Sequence, residues 1–181
     1  MITLSLSYIY KVLCKIKLVL RTAYYRKCII GGEKNLRVLG EIHCNCRQII
    51  VGKNVVIYPG AYFWGNHIEL GDNVNVGMGT VIYGRKKVYI GNNTSIAGQC
   101  YIIDSNHGTS LGTLIQEQEM ETAKDGIYIG SDVWIGAQCT ILKGAKINNG
   151  AVIGANSLVN KEIPENAIAF GIPAEVRKYR E

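Results

Sequence analysis

Residues 129–137 read Ile129-Gly130-Ser131-Asp132-Val133-Trp134-Ile135-Gly136-Ala137 and set a period of six. A large apolar residue begins each hexad, Gly often follows it, and a small residue or Val stands fifth in most hexads. This period fits neither an α-helix, which repeats every 3.6 residues, nor a long alternating strand. It indicates a short flat strand followed by a corner, with the aliphatic side chain inside and the small residue leaving room beside it.

The same hexad extends through most of the chain. Its starting residues are Val51, Ile57, Phe63, Leu70, Val76, Ile82, Ile90, Ile96, Ile102, Ile129, Ile135, Ile141, Ile147, Ile153 and Val159. Three such sides close a triangular coil of about eighteen residues, and successive coils stack. Longer spacings predict bulged corners at 66–69 and 85–89 and a protruding loop over 108–126. We therefore predict an all-β solenoid over 38–181, preceded by an N-terminal segment, 1–37.

Composition agrees with one folded domain. The chain has 181 residues, 48% hydrophobic and 19% charged, which excludes a disordered chain. The 21 Gly and 3 Pro favour tight turns over flexible linkers. No apolar run reaches the ~20 residues of a membrane span. Lysines interrupt any signal-peptide core, and the six Cys form no CxxC pair. A cytoplasmic protein with reduced cysteines is expected.

The positive charge is concentrated near the N-terminus. The net charge is +6, and residues 1–40 hold eight Lys or Arg against one acidic residue, Glu33. Residues 8–24 have a helical period with one apolar face, which only Leu18 violates. A basic amphipathic helix of this kind either contacts the inner face of the cytoplasmic membrane, through residues 1–27, or packs on the solenoid. Nucleic-acid binding is not expected, because the remaining chain is near neutral.

These motifs resemble those of the hexapeptide-repeat acyltransferases. The resemblance rests on 129–137, on Gly150-Ala151-Val152-Ile153-Gly154-Ala155 and on Gly171-Ile172-Pro173-Ala174. It is strongest to the maltose and galactoside O-acetyltransferases and their capsule and lipopolysaccharide relatives. It implies a left-handed parallel β-helix, acetyl-CoA as acyl donor, and a homotrimer with sites between subunits. Ile172 and Asn148 depart from the family pattern, which has Asn and Gly there.

His107 is the candidate catalytic base. It lies in Asp104-Ser105-Asn106-His107-Gly108, where the repeat breaks before the long loop. A neutral imidazole can take the proton of an attacking hydroxyl, and the family places its catalytic histidine beside such a loop. Alternatively, His107 only ends a coil. Asp104 and Asn106 either orient the imidazole and hold the acceptor, or bond the local turn backbone.

The resemblance implies further site residues. Trp134 corresponds to an aromatic residue beside the acyl site, although it also suits a subunit contact. Ala137 and Ala155 match corner positions whose backbone amides hold the pantetheine arm of CoA. Lys161 and Arg177 are candidates for the CoA phosphates, or are ordinary surface cations.

The prediction is an acetyl-CoA-dependent O-acetyltransferase acting on a sugar or polysaccharide precursor, by direct transfer with His107 as general base. One alternative is N-acetylation of an amino sugar or nucleotide-amino-sugar, and another is a non-catalytic β-helix assembly module. A zinc enzyme on the same scaffold is disfavoured, because His43, His67 and His107 contain no close pair. No metal is expected.

Overall fold

The computed structural model describes residues 6–32 and 34–181; the predicted N-terminal segment therefore falls partly outside the described residues. The chain forms a left-handed parallel β-helix of about seven turns, preceded by one α-helix, as the hexads and the resemblance predicted. The elements are α1 (Leu6–Tyr25), β1 (Ile29–Gly31), β2 (Arg37–Val38), β3 (His43–Val51), β4 (Val56–Ile57), β5 (Tyr62–Leu70), β6 (Asn75–Val76), β7 (Val81–Gly84), β8 (Val88–Ile90), β9 (Ser95–Ile96), β10 (Tyr101–Ile103), β11 (Ser105–His107), a 3-10 helix (Ile115–Glu117), β12 (Met120–Thr122), β13 (Ile127–Ile129), β14 (Trp134–Ile135), β15 (Thr140–Ile141), β16 (Lys146–Ile147), β17 (Val152–Ile153), β18 (Leu158–Val159), β19 (Glu162–Ile163), β20 (Ala167–Phe170) and β21 (Glu175–Tyr179).

Parallel pairing arranges these strands on three faces. Face 1 consists of β2, β4, β6, β9, β14, β17 and β20. Face 2 consists of the first halves of β3 and β5, then β7, β10, β15 and β18. Face 3 consists of β1, the second halves of β3 and β5, then β8, β13, β16 and β19. We name the corners after the faces they join: the 1–2, 2–3 and 3–1 corners.

The core is a set of aliphatic ladders that run along the coil axis. All fifteen predicted hexad starters are buried. On face 1, Ile57 pairs with Val76, which pairs with Ile96. Most fifth positions, such as Ala61 and Thr80, are buried as well. Each turn thus removes its apolar side chains from water against its neighbours, which is why the turns are stable only as a stack.

Asparagine makes the sharp bend at the 3–1 corner in the first four turns, whereas Asp132 and Gly150 take the same conformation in later turns. Asn35, Asn54, Asn73 and Asn93 adopt left-handed φ values of 61°, 57°, 58° and 58°. Each side-chain amide donates to the next along the stack, at 2.9, 2.8 and 2.7 Å. Asn tolerates this conformation better than most residues, because its short polar side chain bonds locally. The Gly in the second hexad position serves close approach instead: a Cβ on Gly52 would lie 2.7 Å from the Asp72 amide.

The two predicted corner bulges have different structures. The first lies inside β5, which bends from face 2 to face 3 at Gly65 with φ +110°. A Cβ there would lie 2.5 Å from the Gly84 carbonyl oxygen, so only Gly fits. The second is a short loop, residues 85–87, between β7 and β8. Asn66 Nδ2 bridges the two by donating to the Arg85 carbonyl at 2.7 Å.

The C-terminal third of α1 caps the first turn of the solenoid. Its side chains bond backbone groups at the edge of that turn. Arg21 Nη1 donates to Leu39 O (2.7 Å), and Thr22 Oγ1 and Tyr25 Oη accept from the amides of Val38 (3.2 Å) and Ile42 (3.1 Å). Arg26, directly after the helix, donates from Nη2 to Gly32 O (3.1 Å). An open edge of unpaired backbone groups is thereby blocked. Parallel pairing starts with β1 at Ile29, rather than at the predicted boundary of 38.

The remainder of α1 extends past the coil, and no described helix has the length and apolarity needed to cross a membrane. At the far end of the solenoid, β20 and β21 form an antiparallel hairpin that closes the last turn of face 1.

Candidate active site

His107 lies on a hairpin that leaves the 2–3 corner. Strand β11 pairs with β12 in antiparallel register, so that His107 faces Met120 across the ladder and Asn106 faces Glu121. The coil continues underneath, because β10 pairs directly with β15 on face 2. The hairpin therefore projects from an unbroken stack.

Gln118 braces the tip of this hairpin, and the sequence pattern did not indicate this role. Its Oε1 accepts from the Ser110 amide at 2.9 Å, and its Nε2 donates to the carbonyls of Ser110 and Thr113, both at 2.9 Å. A Cβ on Gly108 would lie 2.8 Å from Gln118 Oε1, so Gly108 leaves the space for the brace. A glutamine opposite a glycine within a loop is the only sequence signal, and it is a weak one.

The braced tip and His107 together line a shallow, open hollow. Its other lining residues are Thr113, Leu114, Ile115 and Gln116. The His107 side chain is exposed, and Leu114 and Ile115 are exposed by 61% and 58%. An exposed imidazole beside an apolar wall suits a base that works on a bound organic acceptor.

Asp104 occupies the root of the hairpin and is fully buried. Its Oδ1 accepts from the Arg85 amide at 2.8 Å, and its Oδ2 accepts from the amides of Lys86 and Lys87 at 2.7 and 2.8 Å. The carboxylate therefore holds the 85–87 loop. This agrees with the alternative in which Asp104 bonds turn backbone. This differs from the expectation that Asp104 contacts an acceptor, because a buried carboxylate with both oxygens occupied is not available to one.

Asn106 and Lys161 are exposed near the same corner. A salt bridge ties the hairpin to the next turn: Lys143 Nζ donates to Glu121 Oε2 at 2.9 Å. This hydrogen bond lowers the pKa of Glu121. Because the folded-state pKa is lowered, the contribution to stability is present above the ordinary carboxyl pKa and is lost as the pH falls.

Trp134 lies elsewhere, on face 1. It is 58% exposed and lines a separate cleft with Asn93, Ser95, Asp132, Val133, Val152 and Arg180. Arg180 Nη1 donates to Asp132 Oδ2 at 2.9 Å and fixes one wall of the cleft. In a triangular coil, face 1 lies opposite the 2–3 corner. One chain therefore does not bring Trp134 to His107.

Ala137 and Ala155 come together at the 1–2 corner, as their matching positions in the repeat imply. The Asn156 amide donates to the Ala137 carbonyl at 2.9 Å, which stacks the two turns. Both alanines are exposed. Arg177 is close to the same corner, with its guanidinium 5.5 Å from the Phe170 ring, whereas Lys161 is at the 2–3 corner.

The other histidines have structural partners. The His43 ring lies 5.2 Å from the Tyr62 ring. His67 Nδ1 lies 3.1 Å from Gln48 Oε1, and its Nε2 lies 3.6 Å from Glu69. A hydrogen bond from Lys87 lowers the pKa of Glu69. Within residues 6–32 and 34–181, no three His, Cys, Asp or Glu side chains group as metal ligands.

The stacked hexapeptide coil is the fold of a class of transferases. The family model described as bacterial transferase hexapeptide (six repeats) matches residues 126–161. A putative colanic acid biosynthesis acetyltransferase of Escherichia coli is 31% identical over 133 residues, 72% of this chain and 69% of that protein. The chain belongs to the hexapeptide-repeat acetyltransferase family.

Two further relatives extend the comparison. A putative lipopolysaccharide biosynthesis O-acetyl transferase of Escherichia coli is 34% identical over 125 residues, 66% of this chain; the match spans 61% of that relative's length. An N-acyltransferase from Bacillus cereus, solved with dTDP and 3-hydroxybutyryl-CoA, has the same fold: TM-score 0.75 at 20% identity, over 89% of this chain and 88% of that one.

Proposed function

We propose that this protein is an acetyl-CoA-dependent O-acetyltransferase that acts on a sugar or polysaccharide precursor. The observation that carries the proposal is the exposed His107 imidazole on the braced hairpin, in a family whose named members are acetyltransferases. A purely structural solenoid needs neither the hairpin nor the histidine, which disfavours the non-catalytic alternative.

In the proposed reaction, the acceptor hydroxyl oxygen attacks the thioester carbonyl carbon while His107 takes the hydroxyl proton. The tetrahedral intermediate then collapses, the C–S bond breaks, and the imidazolium returns a proton to the departing CoA sulfur. Backbone amides near the acyl group would stabilise the oxyanion. Transfer is direct, from thioester to acceptor.

The proposed site requires more than one copy of the chain. His107 at the 2–3 corner and Trp134 on face 1 point away from each other in one coil, yet both belong to the site that the family resemblance implies. A homotrimer of parallel coils would set the 2–3 corner of one copy against face 1 of the next. In that arrangement Ala137, Ala155 and Arg177 are assigned to the CoA arm and phosphates, with Lys161 a second candidate for phosphate contact.

The test is incubation of the full-length protein with acetyl-CoA and a panel of sugars, nucleotide-sugars and lipid-linked glycans, with products read by mass spectrometry. We expect a product whose mass is greater by one acetyl group. Mild alkali should remove that group, as it does from an ester. An alkali-stable acetyl group would identify N-acetylation of an amino sugar, the alternative that the fold of the B. cereus N-acyltransferase favours. If the folded protein acetylates no acceptor in the panel, the result would count against the proposed acetyltransferase function.

A further inference from the structure

Helix α1 makes its hydrogen bonds with the solenoid from one side. The residues on that side are Leu18, which is half-buried, Arg21, Thr22 and Tyr25. Their spacing of i, i+3, i+4 and i+7 places them on one stripe of the helix. Leu18, the residue that violates the predicted apolar face, therefore belongs to the side of α1 that contacts the solenoid.

The apolar stripe of α1 lies on the other side and faces solvent. Ile16 is about 180° from Tyr25 around the helix axis, at 100° per residue. The exposed fractions are Ile9 42%, Val12 39%, Leu13 58%, Ile16 51%, Val19 66% and Leu20 66%. A continuous row of exposed large apolar side chains marks an interaction surface. The helix therefore packs on the solenoid through residues other than the predicted apolar face, and this stripe stays uncovered.

Positive charge borders the stripe on both sides. Lys15 and Lys17 lie about 100° from its centre in opposite directions. The helix Leu6–Tyr25 contains no acidic residue. Long lysine stems can extend from the margins of an apolar face toward headgroup phosphates while the face enters the acyl boundary.

A second copy of the helix is a poor occupant by comparison. It would bring the same cations to the same seam, with no carboxylate on either helix to pair with them. We infer that α1 docks the protein on an anionic lipid surface, with the apolar stripe in the headgroup–acyl boundary and Lys15 and Lys17 on lipid phosphates. The four side-chain bonds to the first turn then fix the orientation of the coil on that surface. This inference does not depend on the acetyl-transfer function.

Flotation of the full-length protein with vesicles tests the inference. We expect binding to phosphatidylglycerol–phosphatidylcholine vesicles at low salt, weaker binding at high salt, and little binding to phosphatidylcholine alone. Lys15→Gln/Lys17→Gln should weaken binding about 30-fold, from ~1 kcal/mol per charge. Leu13→Gln/Leu20→Gln should weaken it at least tenfold, because two apolar side chains leave the boundary.

The control is Met78→Gln/Leu111→Gln, which changes side chains that are 61% and 101% exposed elsewhere on the molecule. It should bind as the unchanged protein does, and circular dichroism should show all three variants folded. Absence of flotation with anionic vesicles would overturn the inference. So would helix variants that bind lipid normally but change the sedimenting mass, because a second copy would then cover the stripe.

Discussion

At the residue scale, the proposed function makes turnover depend on the imidazole of His107. His107→Ala should lower kcat by about 10²–10⁴, because no other described group in the hollow can take the proton as readily. The rate should also fall on acidification, since an imidazolium cannot accept a proton. His67→Ala is the matched control: it removes an imidazole held by Gln48 and should leave kcat near its normal value. A loss at His67 with normal turnover at His107 would move the active site to another turn.

Asp104, which precedes His107 on the same segment, should show the opposite pattern. Asp104→Ala leaves three backbone amides without their acceptor and should lower the free energy of unfolding by about 3 kcal/mol or more. Urea denaturation measures this loss. Asp125→Ala, at an exposed position on the same excursion, should change it little. Full stability of Asp104→Ala combined with lost acceptor binding would restore Asp104 to the acceptor site.

At the scale of elements, α1 is a cap as well as the proposed lipid-docking surface. Thr22→Val keeps the side-chain shape but removes the acceptor of the Val38 amide at a site only 8% exposed. It should lower the free energy of unfolding by about 1–3 kcal/mol. Thr109→Val, on the exposed loop, is the control. Equal denaturation midpoints for the two variants would mean that the cap contributes nothing.

The Gln118 brace should affect activity more than global stability, because it holds the loop and not the stack. Gln118→Ala loses three hydrogen bonds to the tip and should lower kcat/KM by about tenfold or more through a poorly positioned hollow. Glu119→Ala, at the exposed neighbouring position, should be close to normal. Melting temperatures of both should remain within a few degrees of the unchanged protein. A large drop in melting temperature would show that the loop supports the coil.

At the scale of the whole molecule, the proposed trimer makes two predictions. Sedimentation equilibrium should give three times the chain mass of 19.9 kDa. Mixing His107→Ala with Trp134→Ala chains during refolding should restore about a quarter of the sites, because mixed trimers place an intact His107 beside an intact Trp134 at one interface. Two inactive variants that remain inactive after mixing, despite confirmed exchange of subunits, would contradict a shared site.

The limits of prediction follow the same scales. The hexad starters could be assigned from sequence because a period of six leaves one packing solution, and Ile57, Val76 and Ile96 stack as expected. The place of the loop followed from the break in that period. The role of Asp104 did not, because an Asp in a turn looks alike whether its partner is an acceptor or a buried backbone amide. The side of α1 that contacts the solenoid could not be predicted either, because a single apolar residue, Leu18, marks it.

The hairpin that carries His107 branches from a ladder that is already closed beneath it. Strands β10 and β15 pair on one side of the branch, and β8 and β13 pair on the other. Beyond Asp104 at its root, the scaffold therefore has no mechanical need for the branch, and chain can be inserted or removed there at a cost that grows only slowly with length. Such a position works as an exchangeable cassette: a loop of another length and chemistry, grafted between Asp104 and Ile127, would meet the same coil and could redirect the enzyme to a different acceptor.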